Sequence, residues 1–135
     1  MTPDTAWSRL ISQPVAVLAT IDPDGSPHQV PFTFSALGEW RLVSAVDQKP
    51  KATRSLRRLD NIHRDPRVTV LAHHYADDWD ELWWVRASGV ASIEEPEPRG
   101  ARDALVDRYP PYARHSLGPW IVIEVERLVG WSAAD

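Results

Sequence analysis

A chain of 135 residues, 43% hydrophobic and 25% charged, has the proportions of one globular domain spanning 1–135. Its net charge of -4 argues against general nucleic-acid binding, and the lack of cysteine excludes disulfides, thiolate metal sites and a cysteine nucleophile. No apolar run nears the roughly 20 residues of a membrane span, and no basic segment precedes an apolar run at the N-terminus, so a cytoplasmic protein without a signal peptide is expected.

In chain order, Thr5–Ser12 reads as a short helix, with Asp4 as its cap and Trp7, Leu10 and Ile11 as its apolar stripe. Pro14–Ile21 is apolar on both faces, as a central strand is. Asp22-Pro-Asp-Gly25 is a turn, since proline presets φ and glycine accepts a positive one. His28–Ala36 alternates, with Val30, Phe32, Phe34 and Ala36 on one face, and Leu37-Gly38-Glu39 turns it into a strand from Trp40 to Val46. After Pro50 a helix is predicted to pack through Ala52, Leu56, Leu59, Ile62 and His63 and to end near Asp65-Pro66. Arg67–Tyr75 is a fourth strand, and Ala76–Glu81 an acidic loop with an exposed tryptophan. Leu82–Ile93 is a fifth strand with a bulge or bend at Gly89. Arg99–Tyr109 is helical, 112–119 a loop and Trp120–Val129 a last strand. Hairpin-joined strands predict a mainly β fold with a few helices, a six-stranded antiparallel split or closed barrel.

The chemistry concentrates between Ser44 and Arg58. Lys49 and Lys51 are the only lysines, and with Arg54, Arg57, Arg58, Arg64 and Arg67 they supply seven of the fifteen basic residues. A helix start flanked by cations suits an anion, most often phosphate. A phosphate loop, a dinucleotide glycine fingerprint, a zinc-protease motif and a nucleophile elbow are all missing. His73 and His74 are adjacent, so on a strand they face opposite ways and cannot chelate together; no metal site is expected. Without a visible nucleophile or acid–base pair, the chemistry is expected to come from a bound cofactor, and seven tryptophans suit a flat aromatic ring or an interface.

Four segments carry a resemblance: 15–32, V-A-V-L-A-T-I-D-P-D-G-S-P-H-Q-V-P-F; 49–59, K-P-K-A-T-R-S-L-R-R-L; 64–71, R-D-P-R-V-T-V-L; and 83–91, W-W-V-R-A-S-G-V-A. Together the chain resembles the pyridoxamine 5'-phosphate oxidase-like, flavin-binding split-barrel superfamily. Its basic turn and W-W-V-R are similar to the actinobacterial branch that uses the deazaflavin coenzyme F420. The resemblance implies a homodimer with cofactor at the subunit interface. It places Lys49 and Lys51 on the phosphate or acidic tail with Arg54 and Arg57 in support. Pro31, Phe32 and Thr33 lie along the ring, Ser44, Ala45 and Val46 at its edge, and Trp84 and Arg86 come from the second subunit. The implied activity is hydride transfer from reduced F420 to a small organic acceptor. FMN-dependent chemistry and a non-catalytic carrier are the rival readings. No catalytic residue is assigned; Tyr75, His74 and Tyr112 stand unranked as proton donors.

Overall fold

The computed structural model describes residues 1–47 and 53–134, apart from the side chains of 53–56. Among the described residues three α-helices, α1 (Pro3–Ser12), α2 (Thr53–Arg64) and α3 (Ala101–Arg108), surround one antiparallel sheet. Its strands are β1 (Ala16–Ile21), β2 (Pro27–Phe32), β3 (Ser35–Ala36), β4 (Arg41–Asp47), β5 (Arg67–His74), β6 (Trp83–Glu94) and β7 (Leu117–Ser132). The spatial order is β2-β1-β5-β6-β7-β4-β3. Its two ends, β2 and β3, are consecutive in the chain, so residues 33 and 34 join the sheet's edges and the sheet curls into a barrel.

Seven strands replace the expected six because the alternating run His28–Ala36 is interrupted at Thr33-Phe34. The cause is a side chain from far along the sequence. The Phe34 amide donates to the Tyr109 hydroxyl at 3.1 Å, and that hydroxyl lies 2.9 Å from the Phe34 carbonyl and 2.8 Å from the Pro14 carbonyl. Backbone groups satisfied this way leave the ladder.

The barrel interior takes Leu18, Phe34, Leu42, Val70, Val85, Ile121 and Ile123, each at most 1% exposed. Helix α1 adds Ala6 and Leu10, and α2 adds Leu59 and Ile62. A second cluster covers the outside of β4 and β7, where Val43, Ala45, Trp120 and Val122 meet Ala101 and Leu105 of α3. Strand β4 is thus buried on both faces. Gly89 is the expected bulge: the β6–β7 register shifts between Ser88 and Gly89, and a Cβ there would lie 2.0 Å from the Glu124 carbonyl oxygen. The turn glycine Gly25 has φ 87°.

Several local expectations are corrected. Thr2, whose side chain accepts from the Thr5 amide, caps α1 in place of Asp4, because the helix begins at Pro3, two residues earlier than expected. Trp40 belongs to the turn, with φ 57°, and β4 begins at Arg41. His63 is exposed rather than on the packing face of α2, whose buried residues among those described are Leu59, Asn61 and Ile62; Ala52 and the Leu56 side chain lie outside the described residues. The 112–119 loop is a 3-10 segment, Pro110–Arg114, followed by the start of β7 at Leu117. Among the described residues no helix is long and apolar enough to cross a membrane.

Candidate functional site

The break between β2 and β3 builds a polar corner. Phe32 and Phe34 turn into the core and stack with centroids 5.2 Å apart, which sends the Thr33 side chain the other way. Its hydroxyl lies 2.6 Å from the Tyr112 hydroxyl. The Thr33 carbonyl accepts a 2.7 Å hydrogen bond from the Ser44 hydroxyl, which joins the corner to β4. The β3–β4 register covers Val43 and Leu42, so Ser44, Ala45 and Val46 run on beyond it; Ser44 and Ala45 pair on their other edge with Ile121 and Trp120 of β7. Pro31 is exposed on β2. Phe32, expected along a cofactor ring, has only its backbone to offer, since its side chain is core.

Tyr112 rides on a fastened segment. The Arg102 guanidinium donates to the His115 carbonyl at 3.0 Å, the Ala113 carbonyl at 3.2 Å and the Tyr112 carbonyl at 3.4 Å. The Tyr112 ring meets Tyr109 and His115 edge to face, and His115 Nδ1 lies 2.9 Å from the Asp47 carboxylate at the end of β4.

Helix α2 divides its cations. Arg57 reaches Asp22 of the D-P-D-G turn with two donors, at 3.1 and 2.6 Å. Asn61, 1% exposed, donates to Thr20 and Asp22, both at 3.0 Å. Arg57 and Asn61 together hold the Asp22 carboxyl below its usual value. Arg58, one residue on, is half-buried, and its Nε has no hydrogen-bond acceptor among the described residues. Burial pushes its guanidinium down, with the Tyr112 hydroxyl as the opposing influence and no carboxylate acting on it among the described residues. Lys49 and Lys51 lie outside the described residues, as does the Arg54 side chain.

A buried cation without an acidic partner is costly unless an anion meets it. Arg58, whose Nε is buried with no acceptor among the described residues, therefore fits the phosphate of a flavin-type cofactor. Sequence reasoning passed over Arg58 in favour of Arg57. The available signal was its place next to Leu59, at the edge of the helix's buried arc, where a charged stem is drawn inward.

Trp84 and Arg86 lie elsewhere. They share one face of β6, with Arg86 5.4 Å from the Trp84 ring, and with Leu71, His73 and Tyr75 they line an open groove of about 490 Å³. Strand β7 stands between β6 and β4, so one chain does not bring this pair to the Thr33 corner. Of the three unranked proton donors, Tyr75 is 64% exposed on the groove face and His74 stacks on Trp83 at 6.5 Å. Tyr112 alone sits in the corner.

Comparison with known proteins places this geometry. A conserved hypothetical protein of Mycobacterium tuberculosis is similar over 98% of this chain and 86% of its own, with 25% identity and a TM-score of 0.73. The FAD binding protein from Mycobacterium smegmatis matches 97% of this chain and 96% of its own, with 15% identity and a TM-score of 0.60. A candidate pyridoxamine 5'-phosphate oxidase from Lactobacillus delbrueckii matches 96% and 93%, with 20% identity and a TM-score of 0.59. At those identities the last two show the fold alone. No curated protein matches the chain. The family model for pyridoxamine 5'-phosphate oxidase matches residues 3–132, nearly the full length, and the chain therefore belongs to that family, with its flavin-binding split barrel.

Proposed function

We propose that the chain is an oxidoreductase that passes hydride from the reduced deazaflavin coenzyme F420 to a small organic acceptor, such as an activated alkene or imine. The observation that carries the reading is Arg58, a half-buried guanidinium whose Nε donor has no acceptor among the described residues. When bound, the deazaflavin supplies two-electron hydride chemistry, and the protein's part is to bind, orient and shield it. Arg58 takes the phosphate. Lys49 and Lys51, with Arg54, reach the acidic tail, and cations beyond one phosphate's needs favour a cofactor with such a tail. Ser44, Ala45 and Val46 border the ring edge, and Pro31, Phe32 and Thr33 run along it. Tyr112 is the preferred proton donor, because its hydroxyl is held at the corner.

The second reading keeps the site and replaces the coenzyme with FMN. Membership in a flavin-binding family favours it, as does the fold shared with an FAD binding protein. A carrier without turnover is the third. We further propose a cytoplasmic homodimer with two cofactor sites at its interface, each completed by Trp84 and Arg86 of the other subunit. The exposed groove on that face supports this arrangement.

An absorbance spectrum after incubation with F420, FMN or FAD and removal of free ligand tests the coenzyme. Retained F420 is expected. Retention of FMN with no F420 overturns the coenzyme choice, and retention of none overturns the flavin reading. Bound reduced F420 is expected to lose hydride to at least one member of a panel of enones and quinones; binding without any loss favours the carrier. Light scattering of the loaded protein is expected to report a dimer.

A further inference from the structure

Arg57 and Arg58 are neighbours on one helix with different surroundings. Successive helical residues point about 100° apart, so both cannot face the same partner. Arg57 and Asn61 are four residues apart and share a face, with Arg64 one turn on from Asn61. All three grip the end of β1 and the turn after it. Arg57 holds Asp22, Asn61 holds Thr20 and Asp22, and Arg64 donates to the Ile21 carbonyl and to Asn61 Oδ1. The gripped turn is itself rigid: the Asp22 amide donates to the Ser26 carbonyl, the Gly25 amide to the Asp22 carbonyl and the Ser26 amide to the Asp24 carboxylate, each at 2.9 Å. A helix fastened along one face to a rigid post cannot roll about its axis, and the direction of Arg58 is thereby set.

We propose that the Asp22–Arg57–Asn61 grip is a positioning device for Arg58, and that Arg57 serves the anion site through Asp22 and not by touching the ligand. The inference rests on the reading of Arg58 as the ligand of the cofactor's phosphate, and it assigns Asp22, a carboxylate, a supporting part in binding an anion.

That assignment gives a test by sign. If Arg57 were itself the anion ligand, Asp22→Asn would release its guanidinium and remove a negative charge, and affinity would rise. A positioning device predicts the reverse. Affinity for FMN or F420, whichever the wild type retains, is measured in 0.5 M salt to suppress long-range charge effects. Asp22→Asn, Arg57→Gln and their combination are each expected to weaken binding about tenfold, without adding, because they break one unit. Arg57→Lys is expected to resemble Arg57→Gln, since an ammonium cannot make the two-pronged contact. An Ile123→Val control in the barrel core is expected to lower stability and leave affinity unchanged.

A second readout needs no cofactor. In ¹⁵N NMR the buried Arg58 Nε–H is expected to give a slowly exchanging signal in wild type and Ile123→Val, lost in Asp22→Asn and Arg57→Gln. Tighter or unchanged binding in Asp22→Asn overturns the proposal. So does an Arg58 signal that survives both substitutions. If the wild type retains no flavin or deazaflavin, the cofactor reading has failed, and the Arg58 signal alone decides the positioning claim.

Discussion

Replacing Tyr109 by phenylalanine removes one oxygen and leaves the ring, so it isolates the hydroxyl that interrupts the β2–β3 run. That hydroxyl accepts from the Phe34 amide at 3.1 Å and lies within donating distance of the Phe34 and Pro14 carbonyls. Phe34 is fully buried, so its amide finds no water when the acceptor goes. An unmet buried donor costs about 1–3 kcal/mol, and the lost donation to a carbonyl about 0.5–1.5 kcal/mol. The ring keeps its edge-to-face contact with Tyr112 and its place beside the Arg108 guanidinium. The expected loss is therefore about 2–4 kcal/mol, read as a lower urea midpoint at unchanged slope. Cofactor affinity is expected to fall as well, because Thr33 is next in the chain. A loss below about 1 kcal/mol would refute the reasoning, since it would mean that water or the ladder takes over the Phe34 amide.

Three further outcomes are expected. Gly89→Ala sets a Cβ 2.0 Å from a backbone oxygen that cannot swing aside, and is expected to cost about 3 kcal/mol or more in urea unfolding, at the upper end of overpacking. Arg67 holds the Asp65 carboxyl at about 2 against an ordinary 3.8, and Arg57 holds Asp22 low as well. The folded state thus binds fewer protons than the unfolded one. Stability from Asp65 is full above pH 3.8 and is lost as pH falls toward about 2, and Asp65→Asn is expected to flatten that part of a pH series. Lys49→Ala combined with Lys51→Ala is expected to weaken cofactor binding about tenfold, in line with losing charge-assisted contacts, and to leave the unfolding midpoint unchanged. Unchanged affinity in a titration would remove both lysines from the site.

The amino-acid sequence by itself determined the parts that local rules govern. Period-two alternation and the D-P-D-G turn set out the antiparallel hairpins, and Gly89 announced the bulge. The run from Val15 to Phe32, with R-D-P-R-V, carried the family resemblance that the match over 3–132 now shows. Only the tertiary structure decided the rest, because its causes lie far apart in the chain. The strand break at Phe34 depends on Tyr109, 75 residues away. The separate fates of Arg57 and Arg58 depend on Asp22, 35 residues before Arg57. Charge patterning along a helix reports which residues are cationic. It does not report which cation already has a carboxylate, and the contact with Asp22 is what sets Arg57 apart from Arg58.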